Sequence, residues 1–293
     1  MNAAAAEPRT ITIDAPAKIN LALHVCGRRD DGYHLLDSLV VFAGVGDRIS
    51  VAPSDTLTLS LTGPFAAGLT ADSDNLVLRA ARLLAGSSGR GAAITLEKNL
   101  PVASGIGGGS SDAAATLIAC AAVWNLDADA LLAADFTVLG ADVPVCVVRR
   151  PAVMRGIGED ITALENLPPL WMVLANPGQP LATKTVFNTL RGRFGKPLDP
   201  VPPKPDAAGL VEYLEGQRND LTAPALELMP RIGMILNALA ATPGCRLARL
   251  SGSGATCFGL YESQSAAQGA AKSLKEAHSS WWVAAAPMLT EPL

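Results

Sequence analysis

The run Pro101-Val102-Ala103-Ser104-Gly105-Ile106-Gly107-Gly108-Gly109-Ser110-Ser111-Asp112 carries the strongest chemical signal in the chain. Glycine lets a backbone turn tightly and brings its N–H groups close to a ligand with no Cβ in the way. The residues that follow, Ala113 to Trp124, are apolar nearly all round, which is the pattern of a buried helix. A helix opens with N–H groups that have no intrahelical partner, and its dipole adds about half a positive charge there. Together these features make an anion site suited to phosphate. Ser110 and Ser111 add hydroxyls that can hold phosphate oxygens, and Ser110 is a candidate magnesium ligand. A plain loop with a Ser or Asp cap is the alternative. Glycine at four of the five positions 105–109, followed by two serines, favours phosphate. No Gly-Lys-Ser/Thr is present, so this is not a Walker A loop. The His-Arg-Asp and Asp-Phe-Gly signatures of protein kinases are also absent.

A second group lies near the N-terminus. From Ala17 to Val25 the residues alternate, so Ile19, Leu21, Leu23 and Val25 share one face of a strand. Lys18, Asn20, Ala22 and His24 share the other, which offers an ammonium, an amide and an imidazole. A half-solvated strand would show the same pattern. Asp31-Gly32 then signals a turn, and Tyr33-His34 follows it. An aromatic beside a histidine can stack on and hydrogen-bond a base, or simply be part-buried at the turn. A third group, Ser251-Gly252-Ser253-Gly254-Ala255, is a second glycine-rich turn between two short apolar runs. Replacing Gly252 by valine is expected to cost activity without unfolding the chain.

Pro16-Ala17-Lys18-Ile19-Asn20-Leu21, the glycine-serine loop and Ser251 to Ala255 resemble, in order and separation, the three motifs of the GHMP kinases. That superfamily comprises galacto-, homoserine, mevalonate and phosphomevalonate kinases and their relatives. Gly27 to His34, Gly140-Ala141-Asp142-Val143-Pro144 and Asn219-Asp220-Leu221 resemble the branch whose acceptor is a methylerythritol carrying a cytidine diphosphate group. The resemblance implies an α+β, two-domain fold. Residues 1–167 would form the nucleotide-binding domain and residues 168–293 a ferredoxin-like domain. It implies transfer of the γ-phosphoryl group of ATP to the 2-hydroxyl of the erythritol unit, with Mg2+. Lys18 and Asp142 would be the catalytic pair, and Pro101 to Ser111 would line the triphosphate. Asn20 would touch the erythritol unit, Tyr33 and His34 the cytosine, and Asn75 and Lys98 the adenosine. Thr183 and Phe187 would form the acceptor pocket wall, with Gly252 and Ser253 close to phosphate or acceptor. Thr222 departs from the pattern, standing where an acidic residue is usual, and the stretch at 191–209 is longer than the family core needs.

The expected chemistry follows from these roles. Phosphoryl transfer depends on positioning and charge neutralisation more than on covalent catalysis. A carboxylate in reach of the acceptor hydroxyl can take its proton, and Asp142 has that role. Lys18 would hold that carboxylate ionised and stabilise negative charge developing on the phosphate.

These groups need elements to hold them. Strands are expected at 11–25, 48–51, 56–61, 92–97, 145–148, 171–175, 248–250 and 256–261. Helices are expected at 74–85 with Asp74 as cap, at 111–124, at 223–241 with a break at Pro230, and at 265–277. Asp142 precedes Val143-Pro144, where the backbone is pushed to extended geometry, so it should lead into the strand at 145–148. Prolines at 197, 200, 202, 203 and 205 make 191–209 a long surface loop. Residues 1–9 look like a frayed tail. This mixture of strands and helices is α+β in type.

Composition excludes other classes. The chain has 293 residues, 49% hydrophobic and 17% charged, enough for a sizeable core and too apolar for disorder. A net charge of −4 argues against binding a nucleic-acid backbone. Five widely spaced cysteines and three separate histidines give no structural zinc pattern and suggest reduced, buried thiols in a cytoplasmic protein. The longest apolar run, 113–124, is well short of the roughly 20 residues that span a bilayer. The expected partner is a small molecule bearing a cytidine diphosphate, not a nucleic acid or a membrane. Another GHMP kinase, or a non-catalytic nucleotide-binding protein on the same scaffold, are the other readings. The presence of Lys18 and Asp142 beside an intact loop favours an enzyme.

Overall fold

The alternating segment forms β1 (Ile11–Arg28), and a turn at 29–33 returns the chain along β2 (His34–Pro53). In the computed structural model the described residues are 9–291, so the tail expected at 1–9 lies outside them except for its last residue. The chain packs into two units interleaved in sequence. Among the described residues, one holds 9–15, 46–100 and 109–147, and the other holds 16–45, 101–108 and 148–291. Among the described residues no helix is long and apolar enough to cross a membrane.

In the first unit the far half of β2 pairs antiparallel with β4 (Ala92–Glu97), which pairs parallel with β3 (Leu57–Thr62). Only 48–51 of β2 was expected. Its earlier residues, Leu39 to Ala43, are a continuous apolar run buried on both faces, so they lack the alternation that marks a half-buried strand. Two helices cover this sheet, α1 (Leu76–Ala85) and α2 (Gly108–Val123). Val77 and Ala81 of α1 and Ala115, Ala119 and Cys120 of α2 pack with Ile49, Val51, Ile94 and Leu96. The cap of α1 is Asn75, not Asp74, because its side chain accepts from the Val77 N–H at 3.0 Å. α2 begins three residues earlier than expected, since Gly108 and Gly109 are poor helix formers that read as loop. α3 (Ala128–Ala133) and α4 (Val143–Val148) follow. The strand expected at 145–148 is α4. A short apolar run fits either form, and Pro144 sits in the first turn, where its missing N–H removes no helical bond.

A buried ion cluster ties this unit together. The Lys98 ammonium lies 2.5 Å from Asp47 Oδ2 and 2.7 Å from Asp112 Oδ2. Asp47 Oδ1 also accepts from the N–H groups of Asn99 and Leu100, at 2.6 and 2.8 Å. β2, the end of β4 and the N-terminal part of α2 are thereby joined through three nearly inaccessible polar side chains.

In the second unit, the near half of β2 pairs antiparallel with β5 (Ala152–Gly156), and β5 with β6 (Asp160–Ala163). A second antiparallel sheet runs in the order β10 (Trp282–Leu289), β7 (Trp171–Asn176), β9 (Cys257–Tyr261), β8 (Leu247–Leu250). The helices of this unit are α5 (Thr183–Thr189), α6 (Ala207–Glu215), α7 (Thr222–Leu228), α8 (Arg231–Ala240) and α9 (Gln264–Ala277). The break between α7 and α8 falls at Pro230, as expected. Val173, Ala175, Leu250 and Tyr261 of the sheet pack with Ile232, Ile235, Leu239 and Leu274 of the helices.

From Pro16 to Val25 both faces of β1 are buried, so the half-solvated strand is corrected. Lys18 is 3% exposed, Asn20 1% and His24 0%. The proline-rich stretch accounts for part of this. It is irregular up to Asp206, which caps α6, yet it is tied down over 195–199. The Gly195 N–H donates to Val25 O at 2.9 Å. Lys196 O accepts from His24 Nδ1 and from Arg218 Nη2, each at 3.0 Å. The Leu198 N–H donates to Asp37 Oδ2 at 3.2 Å, and the Tyr213 hydroxyl to Asp199 O at 2.7 Å. Proline has no N–H, so the stretch is held through these few remaining groups. His24 Nε2 accepts from the Arg218 N–H at 3.2 Å, which fixes the neutral ring with its proton on Nδ1.

Because burial pushes the Asp112 carboxyl up, Asp47 is the main counter-charge of Lys98, and it is also the acceptor of two backbone N–H groups that its loss would leave unpaired. Asp47→Ala should therefore lower unfolding free energy by about 3–5 kcal/mol, and Asp47→Asn by less because it keeps an acceptor for Asn99 and Leu100. Urea denaturation midpoints test this, and an unchanged midpoint for Asp47→Ala would contradict it. Burial, then Arg218, pushes the His24 pKa below its ordinary value. The unfolded chain then binds more protons at mildly acid pH, so stability should fall as pH drops below about 6.5. His24→Gln should show a shallower fall between pH 7 and 5 in the same measurement. Equal slopes in the two proteins would remove His24 from the account.

Candidate active site

The glycine-serine loop of residues 101–107 is fixed by its carbonyls. Ala103 O accepts from the Leu181 N–H at 3.2 Å, Ser104 O from the Thr256 N–H at 3.0 Å and Ile106 O from the Lys18 N–H at 2.9 Å. Gly105 O accepts from Ser251 Oγ at 3.0 Å. Four successive carbonyls are thus turned onto protein donors. The loop leads directly into α2, whose first N–H groups have no helical acceptor. Ser104 closes the loop on itself by donating to Pro101 O at 2.6 Å. Val102 and Ala103 are exposed and Ser110 is half-buried. Ser111 is buried, with its hydroxyl on Cys146 Sγ at 3.6 Å.

Gly105 has φ +75°, and a Cβ there would lie 2.6 Å from Gly254 N and Ser251 O. Gly252 has φ +53°, and its Cβ would lie 2.7 Å from Gly105 O. The loop and the Ser251 turn approach each other too closely for side chains at either position. This corrects the expectation for Gly252→Val: a valine would have to push the loop away, so its first cost falls on the fold. Asn219 supports the turn from behind, donating from Nδ2 to Leu250 O and Gly252 O, each at 2.8 Å.

Lys18 sits on β1 beside this loop. Its ammonium donates to Asn20 Oδ1 at 2.9 Å. Asn20 Nδ2 donates to Ser38 Oγ at 2.7 Å, and the Ser38 hydroxyl donates in turn to Ala22 O at 2.7 Å. The Asn20 N–H donates to Ser251 Oγ at 3.2 Å. A chain of hydrogen bonds therefore fixes the Asn20 amide with its oxygen toward Lys18. Ser38 and Ser251 complete the chain. Ser251 was visible as part of a motif, whereas no sequence signal marks Ser38.

The residues expected at the acceptor also gather within the second unit. His34 opens β2, and its ring lies 4.8 Å from that of Phe187 at 31°. One turn before Phe187 on α5, Thr183 Oγ1 lies 2.9 Å from Ser253 Oγ. Tyr33 is 58% exposed beside His34, its N–H held by Asp31 Oδ1 at 3.2 Å in the turn. Burial, then Arg28, pushes the His34 pKa below its ordinary value, so the ring is neutral with one donor and one acceptor nitrogen. Phe194, in the proline-rich stretch, adds a further ring 6.1 Å from His34 and nearly edge-on, at 64°. It lay hidden in a segment whose prolines gave no pattern.

The first unit holds the other expected residues. Asp142 is half-buried where the chain turns into α4, and its backbone carbonyl accepts from the Cys146 N–H at 3.2 Å. It leads into a helix rather than a strand, and a helix N-terminus favours a carboxylate. The side chain of Asn75 is occupied by its cap bond and by Thr70 O, to which Nδ2 donates at 2.7 Å. The Lys98 ammonium lies between Asp47 and Asp112. None of the five cysteines is in a disulfide; Cys120, Cys146 and Cys257 are buried and Cys26 and Cys245 partly so.

Residues 75–150 match the N-terminal domain of the GHMP kinases and residues 204–280 match their C-terminal domain. A protein of Paramagnetospirillum magneticum named 4-diphosphocytidyl-2-C-methyl-D-erythritol kinase is 52% identical over 96% of this chain and 99% of its own length. The crystal structure of a 4-(cytidine 5'-diphospho)-2C-methyl-D-erythritol kinase matches with a TM-score of 0.77 and 36% identity, covering 96% of this chain and all of that one. A homoserine kinase from Cytophaga hutchinsonii shares the fold alone, with a TM-score of 0.71 at 17% identity over 99% of this chain and 97% of its own. With motifs, fold and full-length relatives in agreement, the chain belongs to the 4-diphosphocytidyl-2-C-methyl-D-erythritol kinase family of the GHMP kinases.

Proposed function

We propose that this chain transfers the γ-phosphoryl group of ATP to the 2-hydroxyl of 4-diphosphocytidyl-2-C-methyl-D-erythritol, with Lys18 and Asp142 as its catalytic pair. The observation that carries the site assignment is the loop at 103–106. Its carbonyls are all engaged by protein donors, so its N–H side and the start of α2 are the donors left for an anion. Phosphate oxygens carry the charge that such donors stabilise without reorganisation.

Asp142 takes the proton of the acceptor hydroxyl as the oxygen attacks phosphorus, and Lys18 offsets the negative charge that develops. Asn20, locked through Ser38 and Ser251, holds the Lys18 ammonium and faces the erythritol unit. Tyr33, His34 and Phe187 take the cytosine, and the neutral His34 ring offers it a donor and an acceptor. Thr183, Ser253 and the Gly252 backbone lie toward the acceptor side. Asn75 and Lys98 flank the adenosine as parts of their elements, because their side-chain polar atoms are already bonded. Residues 1–167 and 168–293 serve as the nucleotide-binding and C-terminal domains of the family division, and the protein works in the cytoplasm.

Magnesium fits this arrangement in one way. Among the described residues no three His, Cys, Asp or Glu side chains gather as a metal site. An ion that keeps its waters and takes phosphate oxygens needs little more than one protein hydroxyl, which Ser110 supplies at the start of α2. Bound there, magnesium would neutralise charge on the phosphates.

Asp142→Ala should lower kcat by about a hundredfold or more, the scale of general-base loss, while KM for ATP stays within a few-fold. Steady-state kinetics with the cytidylated acceptor tests this. Near-normal turnover would remove Asp142 as the base.

A further inference from the structure

The proline-rich stretch looks in the sequence like a spare surface loop, but its anchors place one aromatic ring beside the acceptor residues. Phe194 directly precedes Gly195, whose N–H is held by Val25 O, and Lys196, whose carbonyl is held by His24 and Arg218. A Cβ at Gly195 would lie 2.0 Å from Arg218 Nη2, so a side chain there would have to displace the guanidinium that holds Lys196 O. The segment is therefore seated against β1 and the Arg218 side chain, and Phe194 has a defined position. The residue is 42% exposed. It stands nearly edge-on to His34, at 64°, while Phe187 lies closer to parallel with the same ring, at 31°.

We infer that Phe194 is a specificity-determining residue of the acceptor site, an aromatic wall beside His34 that receives the pyrimidine ring of the acceptor. This rests on the proposed function. An exposed phenyl ring beside a neutral imidazole is a surface that a flat heteroaromatic base can cover, by stacking or by edge-to-face contact. An edge-on phenyl ring also limits how His34 can rotate, and so which way its donor and acceptor nitrogens point. His34 supplies the hydrogen-bonding preference and Phe194 supplies the wall that keeps the base in register with it. The segment acts as a prebuilt side of the site, because its backbone bonds involve His24, Val25, Asp37 and Arg218 of the protein itself.

The test is steady-state kinetics of Phe194→Ala, Phe194→Leu and Phe194→Trp with ATP and the cytidylated acceptor, with a melting curve for each. Phe194→Ala should raise the acceptor KM about tenfold, the scale of one lost base–aromatic contact, and leave kcat and the ATP KM within about twofold. Phe194→Trp should restore the acceptor KM. Phe194→Leu, which keeps apolar bulk and should keep the melting temperature, should not. Should Phe194→Ala fail to fold, the leucine variant decides alone: a raised acceptor KM supports the inference and an unchanged one overturns it. Equal changes in the ATP and acceptor KM values, or full recovery by leucine, would make the residue merely structural and overturn it. If the unaltered protein does not phosphorylate the cytidylated acceptor, the proposed function fails instead, a result read before any variant is compared.

Discussion

A loop can present its N–H groups to an anion only if its carbonyls point elsewhere, because each carbonyl carries the opposite partial charge. The stretch from Ala103 to Ile106 meets this constraint by placing four carbonyls on donors from four places in the chain: Leu181, Thr256, Ser251 and Lys18. Much else in the second unit follows from it. Gly105 and Gly252 must lack side chains because the loop and the turn carrying Ser251 nearly touch. Ser251 must be a hydroxyl residue, since it accepts from Asn20 and donates to Gly105. Lys18 contributes twice, with its backbone N–H on the loop and its ammonium oriented by Asn20.

The first unit secures the start of α2 by a different means. Asp112 is the fifth residue of α2, just past its first turn, and Lys98 binds it together with Asp47. Two carboxylates face one ammonium out of water. Burial pushes the Asp112 carboxyl well above the usual carboxylate range against the pull of Lys98. A buried ion cluster is a weak source of net stability, so its value here lies in fixing where the helix begins.

Much of this was legible because the chemistry required particular residue types. Glycine runs, a lysine on an alternating strand and an aromatic–histidine pair after a turn are visible in one sequence, and they led to the family. The loop, β1, β4, β7 and α9 stood out for the same reason, through a glycine cluster or a clean periodicity. Residues that act by position were not visible. Ser38 looks like any serine in an apolar run until Asn20 is found beside it. Lys98 looked like a ligand contact, and only the fold brings Asp47 and Asp112 to it. Segments 39–43 and 145–148 misled for a common reason: a continuous apolar run has no period, so length and neighbours decide its form. Phe194 stayed hidden because prolines erase periodicity while leaving enough backbone groups to anchor a segment.

The central claim is that these residues assemble a kinase for a cytidylated alcohol. It is tested most directly by ADP release with ATP and magnesium against 4-diphosphocytidyl-2-C-methyl-D-erythritol, mevalonate, homoserine and galactose in parallel. The account predicts turnover with the cytidylated acceptor alone. Turnover with one of the other three in its place would contradict the assignment of Tyr33, His34 and Phe187, and nucleotide binding with no turnover on any acceptor would contradict the assignment of Lys18 and Asp142.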